Sequence, residues 1–236
     1  TFAPDGTLYA YRIPTSVDTK PGPAALVKVD TATGAQVVVG DLPVMFNGGM
    51  TFDAAGNLWL YSFNPTDPST SGCSKNFCLW KVNPANADAT LVGGQDTRFV
   101  GGLAATCTEV QAGTQVATGP APISRLDRVD TATADLFKIV DLKGVGGTTG
   151  LDVNQTSGLD YDATGVLWGV GLSALTGRTP LLLSAVFRVD PATGVTATAT
   201  LTLDNSDFLG QVFGLAVAGL ACAAPAAVEL QPLFTG

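Results

Sequence analysis

A short phrase recurs four times along this chain of 236 residues, and the repeat constrains the fold more than any other feature. Each copy places an apolar residue, a variable residue, Lys or Arg, Val, and Asp or Asn ahead of a stretch rich in Thr, Pro and Ala. The copies occupy residues 26–34, 79–86, 126–133 and 186–194, and their common Val residues are 53, 47 and 60 positions apart. The chain is therefore built from units of about 50 residues.

A second phrase alternates with the first and predicts a strand, a tight turn and another strand. Its copies lie at residues 1–10, 48–60 and 157–169, and shorter copies begin at residues 101 and 213. Short runs of β-branched, aromatic and leucine residues bounded by Gly, Pro, Asn and Asp are typical of β-strands. The 3.6-residue periodicity of an amphipathic helix is absent from the sequence. Each unit is therefore predicted to contain four short strands.

The turn within each copy of the first phrase begins with Asp30, Asn83, Asp130 or Asp190. Asp or Asn at this position accepts a hydrogen bond from a backbone N–H two residues further on, which is the role of a turn former. A calcium loop is the alternative, but it needs several oxygen ligands within a dozen residues, and each copy brings one such side chain. We predict turns and assign no cofactor, with Ca²⁺ kept as the alternative.

Four-stranded antiparallel units repeated around an axis form a β-propeller, which hides its strand edges by closing into a ring. Because the second phrase has five copies, we predict an all-β propeller with five blades. A ring of four blades with a C-terminal clasp is the second hypothesis, and a parallel solenoid is the third. The propeller is predicted to span residues 1–223, with residues 224–236 as a tail or closing strand.

The composition excludes several classes of function. Twelve Lys and Arg against twenty Asp and Glu give a net charge of −8, without the basic patch that binds nucleic acids or anionic membranes. The sequence has no histidine, which excludes Ser-His-Asp hydrolysis and His-ligated zinc. The longest nearly apolar stretch, residues 212–224, is shorter than the roughly 20 residues of a spanning helix, so we predict no membrane insertion.

Four cysteines, Cys73, Cys78, Cys107 and Cys222, predict disulfide bonds. Cys73 and Cys78 flank four residues beside a loop rich in Pro, Ser, Thr and Gly, where a short bridge is physically reasonable; the pairing as a whole stays open. A metal site would need a second close pair of ligands, which the two isolated cysteines do not supply. The even count and the low charge favour a secreted or cell-surface location.

The segments GGMTFDAAGNLWLYS and LVKVDTATGAQVVVG, residues 48–62 and 26–40, are similar to repeats of secreted bacterial β-propellers of the NHL/YVTN and regucalcin-like kind. They look most like the LYRVDPATG-type propeller domains of exported and surface proteins. The resemblance covers about residues 1–217 and implies the fold rather than one activity. Related lyases and hydrolases often use His or a central carboxylate cluster, and this chain has no His and few acids at the corresponding places.

The loops that enter the innermost strands are the predicted ligand site, because propeller ligands usually lie at the mouth of the axial channel. A ring of amides with one guanidinium could coordinate an ion or hydrogen-bond a sugar or peptide. The alternative is that these side chains are ordinary polar loop residues. The candidate ligand-binding residues are Asn47, Arg98, Asn154, Gln155 and Gln211.

Three acidic residues are candidate metal ligands. Asp160 stands in the inner-strand phrase where another copy has Thr51, so turn formation does not explain it. Asp204 and Asp207 lie close together in the segment LDNSDF and could form a surface cation site. No catalytic residue is assigned.

We predict a non-enzymatic extracellular binding or structural module, of the adhesion, surface-appendage or matrix kind, with self-assembly as one version. Its partner would be a protein or glycan surface ligand or a second copy of the chain, and not a nucleic acid. One alternative is a lectin-like carbohydrate binder. The other is a metal-dependent lactonase or hydrolase of the regucalcin kind, with an oxygen-ligated ion near Asn47, Asn154 and Asp160.

Overall fold

The computed structural model describes residues 1–12, 24–43, 46–63, 72–116, 123–144, 151–175, 182–199 and 216–217. Sixteen β-strands lie in these ranges, and the same ranges contain no helix with the length and apolar character of a membrane span. The strands are β1 (Leu8–Arg12), β2 (Ala25–Val29), β3 (Gln36–Asp41), β4 (Phe46–Phe52), β5 (Leu58–Phe63), β6 (Phe77–Val82), β7 (Ala89–Gln95), β8 (Phe99–Ala105), β9 (Val110–Val116), β10 (Ile123–Val129), β11 (Leu136–Asp141), β12 (Lys143–Gly144), β13 (Leu151–Tyr161), β14 (Leu167–Leu175), β15 (Leu182–Val189) and β16 (Val195–Ala199).

The strands form four sheets, and within each sheet successive strands of the chain lie side by side and antiparallel. We call the sheets blades 1 to 4: β1–β3, β4–β7, β8–β11 and β13–β16, with the short β12 added in parallel to the outer edge of blade 4. The inner strands β4, β8 and β13 pack against one another, which is the arrangement of a β-propeller. The predicted all-β propeller with antiparallel blades is confirmed.

The prediction of five blades is wrong, because the described residues form four sheets. The copy of the second phrase at residues 1–10 begins part-way through the phrase, at the equivalent of Thr51, and contributes a bridge between Phe2 and Leu8. The copy at residues 213–217 ends beside blade 4, where the N–H of Val217 donates to the Oδ2 of Asp160 at 2.9 Å. Five copies of the phrase therefore do not mean five sheets.

Glycine pairs explain how closely the inner strands approach each other. The first glycine of each pair, Gly48 or Gly101, is an extra residue in the register of its strand, which is a β-bulge. The second faces the next blade: a Cβ on Gly102 would lie 2.7 Å from the nitrogen of Leu159 and 2.8 Å from the carbonyl carbon of Gly158. Blades 3 and 4 therefore meet backbone to backbone, which a larger residue would prevent.

Turns of one kind join the last two strands of each blade, β2 to β3, β6 to β7, β10 to β11 and β15 to β16. Asp30, Asp130 and Asp190 each accept, through Oδ1, a hydrogen bond from the backbone N–H two residues further on, at 2.8, 2.8 and 2.9 Å. Asn83 does the same at 2.9 Å. The prediction of turn formers is confirmed, and these side chains are used by their own turns.

Three apolar clusters of the described residues lie at the junctions of blades 1 and 2, of blades 2 and 3, and of blades 3 and 4. The junction of blades 1 and 2 contains the buried rings of Tyr9 and Phe52, whose centroids are 5.3 Å apart. At the junction of blades 2 and 3, the hydroxyl of Tyr61 donates to the carbonyl of Ala134 at 3.1 Å. Packing between neighbouring blades therefore stabilises each sheet in addition to its own hydrogen bonds.

Candidate binding cleft on the turn face

We call the end of the ring that carries the turns after β4, β8 and β13 the turn face. In blade 2, a stack of three side chains faces this end. The indole Nε1 of Trp59 donates to the Oδ2 of Asp53 at 2.8 Å, and the Nζ of Lys81 lies 5.7 Å from the centroid of the indole ring. The cation is attracted to the face of the ring, so the three groups satisfy one another.

The same stack recurs in blade 4, and part of it recurs in blade 1. The indole of Trp168 donates to the Oδ2 of Asp162 at 2.7 Å, and the guanidinium of Arg188 lies 5.8 Å from its ring centroid. In blade 1, Lys28 lies 5.6 Å from the ring centroid of Tyr9. In blades 1, 2 and 4, the Lys or Arg of the first repeated phrase therefore lies over the aromatic ring that follows the inner turn of the same blade.

Blade 3 departs from this pattern. Gln111 stands at the register position that holds the tryptophan in blades 2 and 4. The Nε2 of Gln111 donates to the Oε1 of Glu109 at 2.6 Å instead of stacking under a cation. Arg128, the equivalent of Lys81, turns toward the outer strand, where its guanidinium lies 4.9 Å from the ring centroid of Phe137. The replacement removes a bulky indole from the turn face of this blade.

A cleft of about 390 Å³ opens on the turn face at this position. Its lining comes from residues 53–55 of blade 2 and residues 106–110 and 128–131 of blade 3. The volume falls within the range of small-molecule sites. The cleft therefore lies where the repeated stack is interrupted.

The lining is polar and predominantly acidic. It contains the carboxylates of Asp53, Glu109 and Asp130 and one cation, Arg128. The oxygens of Asp53 accept hydrogen bonds from its own turn and from the indole of blade 2, whereas Arg128 has no hydrogen bond or ion pair with any residue that the structure describes. Threonine hydroxyls complete the lining at Thr106, Thr108 and Thr131. Acceptors, donors and a guanidinium without a polar partner among the described residues suit a ligand with several hydroxyl groups.

The residues predicted at the channel mouth are only partly described. Asn47 lies in β4 opposite Ser62, and Asn154 and Gln155 lie in β13, but their side chains are outside the description. Gln211, Asp204 and Asp207 lie outside the described residues. A role of these residues in binding a ligand or metal stays a prediction.

Arg98, the fifth candidate, turns its side chain toward strands of its own blade 3. Its Nη1 lies 3.0 Å from the Oδ1 of Asp127, whose side chain is fully buried, and donates to the carbonyl of Leu136 at 3.2 Å. The Oδ1 of Asp127 accepts no hydrogen bond, so it interacts with Arg98 as an ion pair alone. Its Oδ2 accepts a hydrogen bond from the hydroxyl of Thr114. The guanidinium predicted to bind a ligand therefore compensates a buried carboxylate.

Asp160 lies in the inner strand of blade 4 and is 7% exposed. Its oxygens accept from the backbone N–H groups of Val217 at 2.9 Å and Tyr161 at 3.0 Å. Burial raises the pKa of Asp160 to about 6, although these hydrogen bonds lower it part of the way back. In the described ranges no group of three or more His, Cys, Asp or Glu side chains is arranged for a metal ion, and metal binding by Asp160 stays a prediction.

Asp160→Asn is expected to stabilise the protein at pH 8 and to leave it almost unchanged at pH 4. Because its folded-state pKa is raised, Asp160 favours folding below about pH 4, and this contribution is lost as the pH rises through about 6. The rise of the pKa of Asp160 from 3.8 to about 6 corresponds to about 3 kcal/mol of folding free energy lost at pH 8. Asparagine keeps a side-chain oxygen that accepts the hydrogen bond from the N–H of Val217. Melting temperatures recorded from pH 4 to pH 8 would measure the difference.

Asp162→Asn is the matched control, since hydrogen bonds from Thr164, Trp168 and Val166 hold the pKa of Asp162 well below its usual range. This substitution is expected to lower stability at pH 8, the opposite sign to Asp160→Asn. Equal destabilisation by both substitutions at pH 8 would contradict the buried-carboxylate interpretation of Asp160.

Three of the four cysteines are in disulfide bonds, which confirms that part of the prediction. Cys73 is bonded to Cys78, with their Cα atoms 6.4 Å apart. Cys107 is exposed at the tip of the turn between β8 and β9, on the rim of the cleft, and is also disulfide-bonded. Cys222 lies outside the described residues, and its disulfide bond stays a prediction.

No protein-family model and no curated protein matches this sequence. Among solved structures, the chain is similar to an auxiliary nutrient binding protein from Bacteroides ovatus, with 12% identity and a TM-score of 0.45 over 87% of this chain and 42% of that one. It is also similar to dipeptidyl peptidase 4 from Porphyromonas gingivalis, with 15% identity and a TM-score of 0.34 over 85% and 30%. The chain thus spans less than half the length of either protein.

The four sheets and their packed inner strands define the class: this is a β-propeller protein. Its resemblance to NHL/YVTN and regucalcin-like propellers stays a prediction.

Proposed function

We propose that this protein is a non-enzymatic, extracytoplasmic binding module that takes a small hydroxylated ligand, a mono- or oligosaccharide, in the cleft of blade 3. The observation that carries the proposal is the interrupted stack. Gln111 stands where blades 2 and 4 have a tryptophan, a cleft of about 390 Å³ opens there, and Arg128 keeps no polar partner among the described residues.

The chemistry of the lining favours a sugar over a charged ligand. Carboxylates accept hydrogen bonds from hydroxyl groups, and the Oε1 of Glu109 is already oriented by Gln111 at 2.6 Å. A guanidinium donates to sugar oxygens in a fixed geometry. Three carboxylates against one guanidinium repel anionic ligands, in line with the net charge of −8.

Two features support the non-enzymatic and extracytoplasmic parts of the proposal. The sequence has no histidine, so the commonest general base and nucleophile activator is absent. The disulfide between Cys73 and Cys78 belongs to an oxidising compartment. Adhesion through a surface glycan is the biological setting in which such a module would act.

Arg128→Ala is expected to weaken binding of the ligand by about tenfold to a hundredfold, the usual effect of losing a hydrogen bond to a charged group. A glycan array first identifies the ligand, and titration calorimetry then measures the dissociation constants. Arg188→Ala is the matched control, because it removes the equivalent cation of blade 4, where Trp168 completes the stack and the turn face of blade 3 is untouched. Glu109→Gln, which keeps the size of the side chain, is expected to weaken binding as well.

Two outcomes would end the proposal. One is that the protein binds no glycan on the array and no free sugar at millimolar concentration in calorimetry. The other is an equal loss of affinity from Arg128→Ala and Arg188→Ala, which would place the site away from the cleft.

A further inference from the structure

At two junctions of the ring, the last residue of an inner strand packs near the aromatic residue that follows the inner turn of the preceding blade. At the junction of blades 1 and 2 these residues are Phe52 and Tyr9, whose ring centroids are 5.3 Å apart. At the junction of blades 2 and 3 they are Ala105 and Trp59, which belong to one buried cluster. Both junctions are therefore filled at these positions by apolar contacts.

The junction of blades 3 and 4 has a polar pair at the same two positions. Tyr161, the last residue of the inner strand of blade 4, is buried, and its hydroxyl donates to the Oε1 of Gln111 at 2.8 Å. Gln111 is buried as well, and its Nε2 donates to the Oε1 of Glu109 at 2.6 Å. Two consecutive hydrogen bonds therefore lead from the inner strand of blade 4 to a carboxylate that lines the cleft.

The chemistry of the three groups sets the direction of both hydrogen bonds. An ionised carboxylate only accepts, so Gln111 has to turn its NH₂ group toward Glu109 and its oxygen toward Tyr161. Tyr161 then has to donate, and it keeps its proton because burial, with a smaller effect from the charge of Glu109, raises the pKa of its hydroxyl to about 12. A phenylalanine at this position would leave the buried oxygen of Gln111 without its donor.

Glu109, at the other end of these hydrogen bonds, is held through its backbone and through one carboxylate oxygen. Its N–H donates to the hydroxyl of Thr106 at 3.1 Å, and its carbonyl accepts from the N–H of Thr106 at 2.9 Å. Gln111 occupies the Oε1 of Glu109, whereas none of the residues that the structure describes donates to its Oε2. The carboxylate is therefore fixed at one oxygen and has the other available for a ligand.

We propose that Tyr161 is a positioning residue of the cleft, which holds Glu109 through Gln111 so that its Oε2 accepts a hydrogen bond from a hydroxyl of the sugar. This inference rests on the proposed function and narrows the ligand to a sugar with a free hydroxyl at this point, because an ether oxygen has no proton to donate. Blade 4 thus takes part in recognition, although the described lining comes from blades 2 and 3.

Nuclear magnetic resonance of the full chain without sugar tests whether Tyr161 holds Glu109. In the wild type we expect the side-chain amide protons of Gln111, assigned by their loss in Gln111→Met, to be shifted downfield by the carboxylate. The couplings of Glu109 should report a single χ1 rotamer. In Tyr161→Phe the amide signals should move toward those of exposed glutamines, and the couplings should become averaged. Unchanged spectra in this variant overturn the proposal whether or not a sugar binds.

Titration calorimetry tests the effect on binding, with the methyl glycosides of glucose, galactose and mannose and the sugars that the glycan array identifies. Tyr161→Phe is expected to weaken binding by about threefold to tenfold, the effect of one neutral hydrogen bond. Gln111→Met interrupts the same contacts, so adding Tyr161→Phe to it should weaken binding no further. Tyr61→Phe is the matched control, because it removes a buried hydroxyl that donates to Ala134 at another junction. It should leave the affinity and the Gln111 signals unchanged.

The outcomes separate this proposal from the proposed function. An equal loss of affinity in Tyr161→Phe and Tyr61→Phe, or losses from Tyr161→Phe and Gln111→Met that add up, overturns the positioning role while the cleft remains the binding site. Failure of the proposed function gives a different result: the wild type binds none of the sugars, and the spectra alone then decide whether Tyr161 holds Glu109.

Discussion

Gly102→Ala is expected to lower the free energy of unfolding by about 3 kcal/mol, the upper end of the usual range for overpacking. The added Cβ would lie 2.7 Å from the nitrogen of Leu159 and 2.8 Å from the carbonyl carbon of Gly158. Both atoms belong to the backbone of β13, so a side-chain rotation cannot relieve the clash. The inner strands of blades 3 and 4 would have to move apart, which opens the ring at the joint between these two blades.

Urea denaturation of the wild type and the variant measures the loss. Gly165→Ala is the control, because Gly165 has a φ of 82° and nothing lies within 4 Å of its missing Cβ. Its cost is backbone strain alone, about 1 kcal/mol. If the two variants lose the same amount, the close approach of β8 and β13 does not limit stability.

Arg98→Met is expected to lower the free energy of unfolding by about 3–5 kcal/mol, because it leaves the fully buried carboxylate of Asp127 without its counter-ion. The double variant Arg98→Met/Asp127→Leu is expected to recover most of this loss, since it removes the uncompensated charge together with its partner. Chemical denaturation of both variants gives the two values, and their difference measures the cost of the unpaired carboxylate.

The exposed ion pair of Lys75 and Asp96 is the control for this prediction. The Nζ of Lys75 lies 2.8 Å from the Oδ2 of Asp96, but the two side chains are 48% and 43% exposed. Lys75→Met should therefore lower the free energy of unfolding by less than about 1 kcal/mol. A similar small cost for Arg98→Met would show that water reaches Asp127 and that the pair does not compensate a buried charge.

The strands and turns of this protein could be predicted because their causes are local. Asp30 and its equivalents accept hydrogen bonds within their own turns, and the strand residues alternate over a few positions at a time. The number of blades could not be predicted, because it depends on which copies of a phrase share a sheet. The copy at residues 1–10 contributes a bridge between Phe2 and Leu8, and Val217, the last residue of the fifth copy, binds Asp160 of blade 4.

The candidate cleft was not predicted, although the sequence contains a signal for it. Aligning the repeats places Gln111 where Trp59 and Trp168 stand, and this exception marks the blade with the cleft. Arg98 was placed at the channel mouth because it precedes the glycine pair of β8. Its long side chain instead reaches Asp127, a contact that chain position alone does not reveal.

The sequence by itself determined that short antiparallel strands repeat in units of about 50 residues, since turn chemistry and strand patterning act between near neighbours. The tertiary structure alone decided that there are four blades, that Asp160 binds Val217 and that Arg98 compensates Asp127. These contacts join residues 29 and 57 positions apart: Arg98 meets Asp127 when the strands of blade 3 come together, and Val217 meets Asp160 when the chain returns to blade 4. Their partners are selected by geometry and burial, which a linear pattern does not encode.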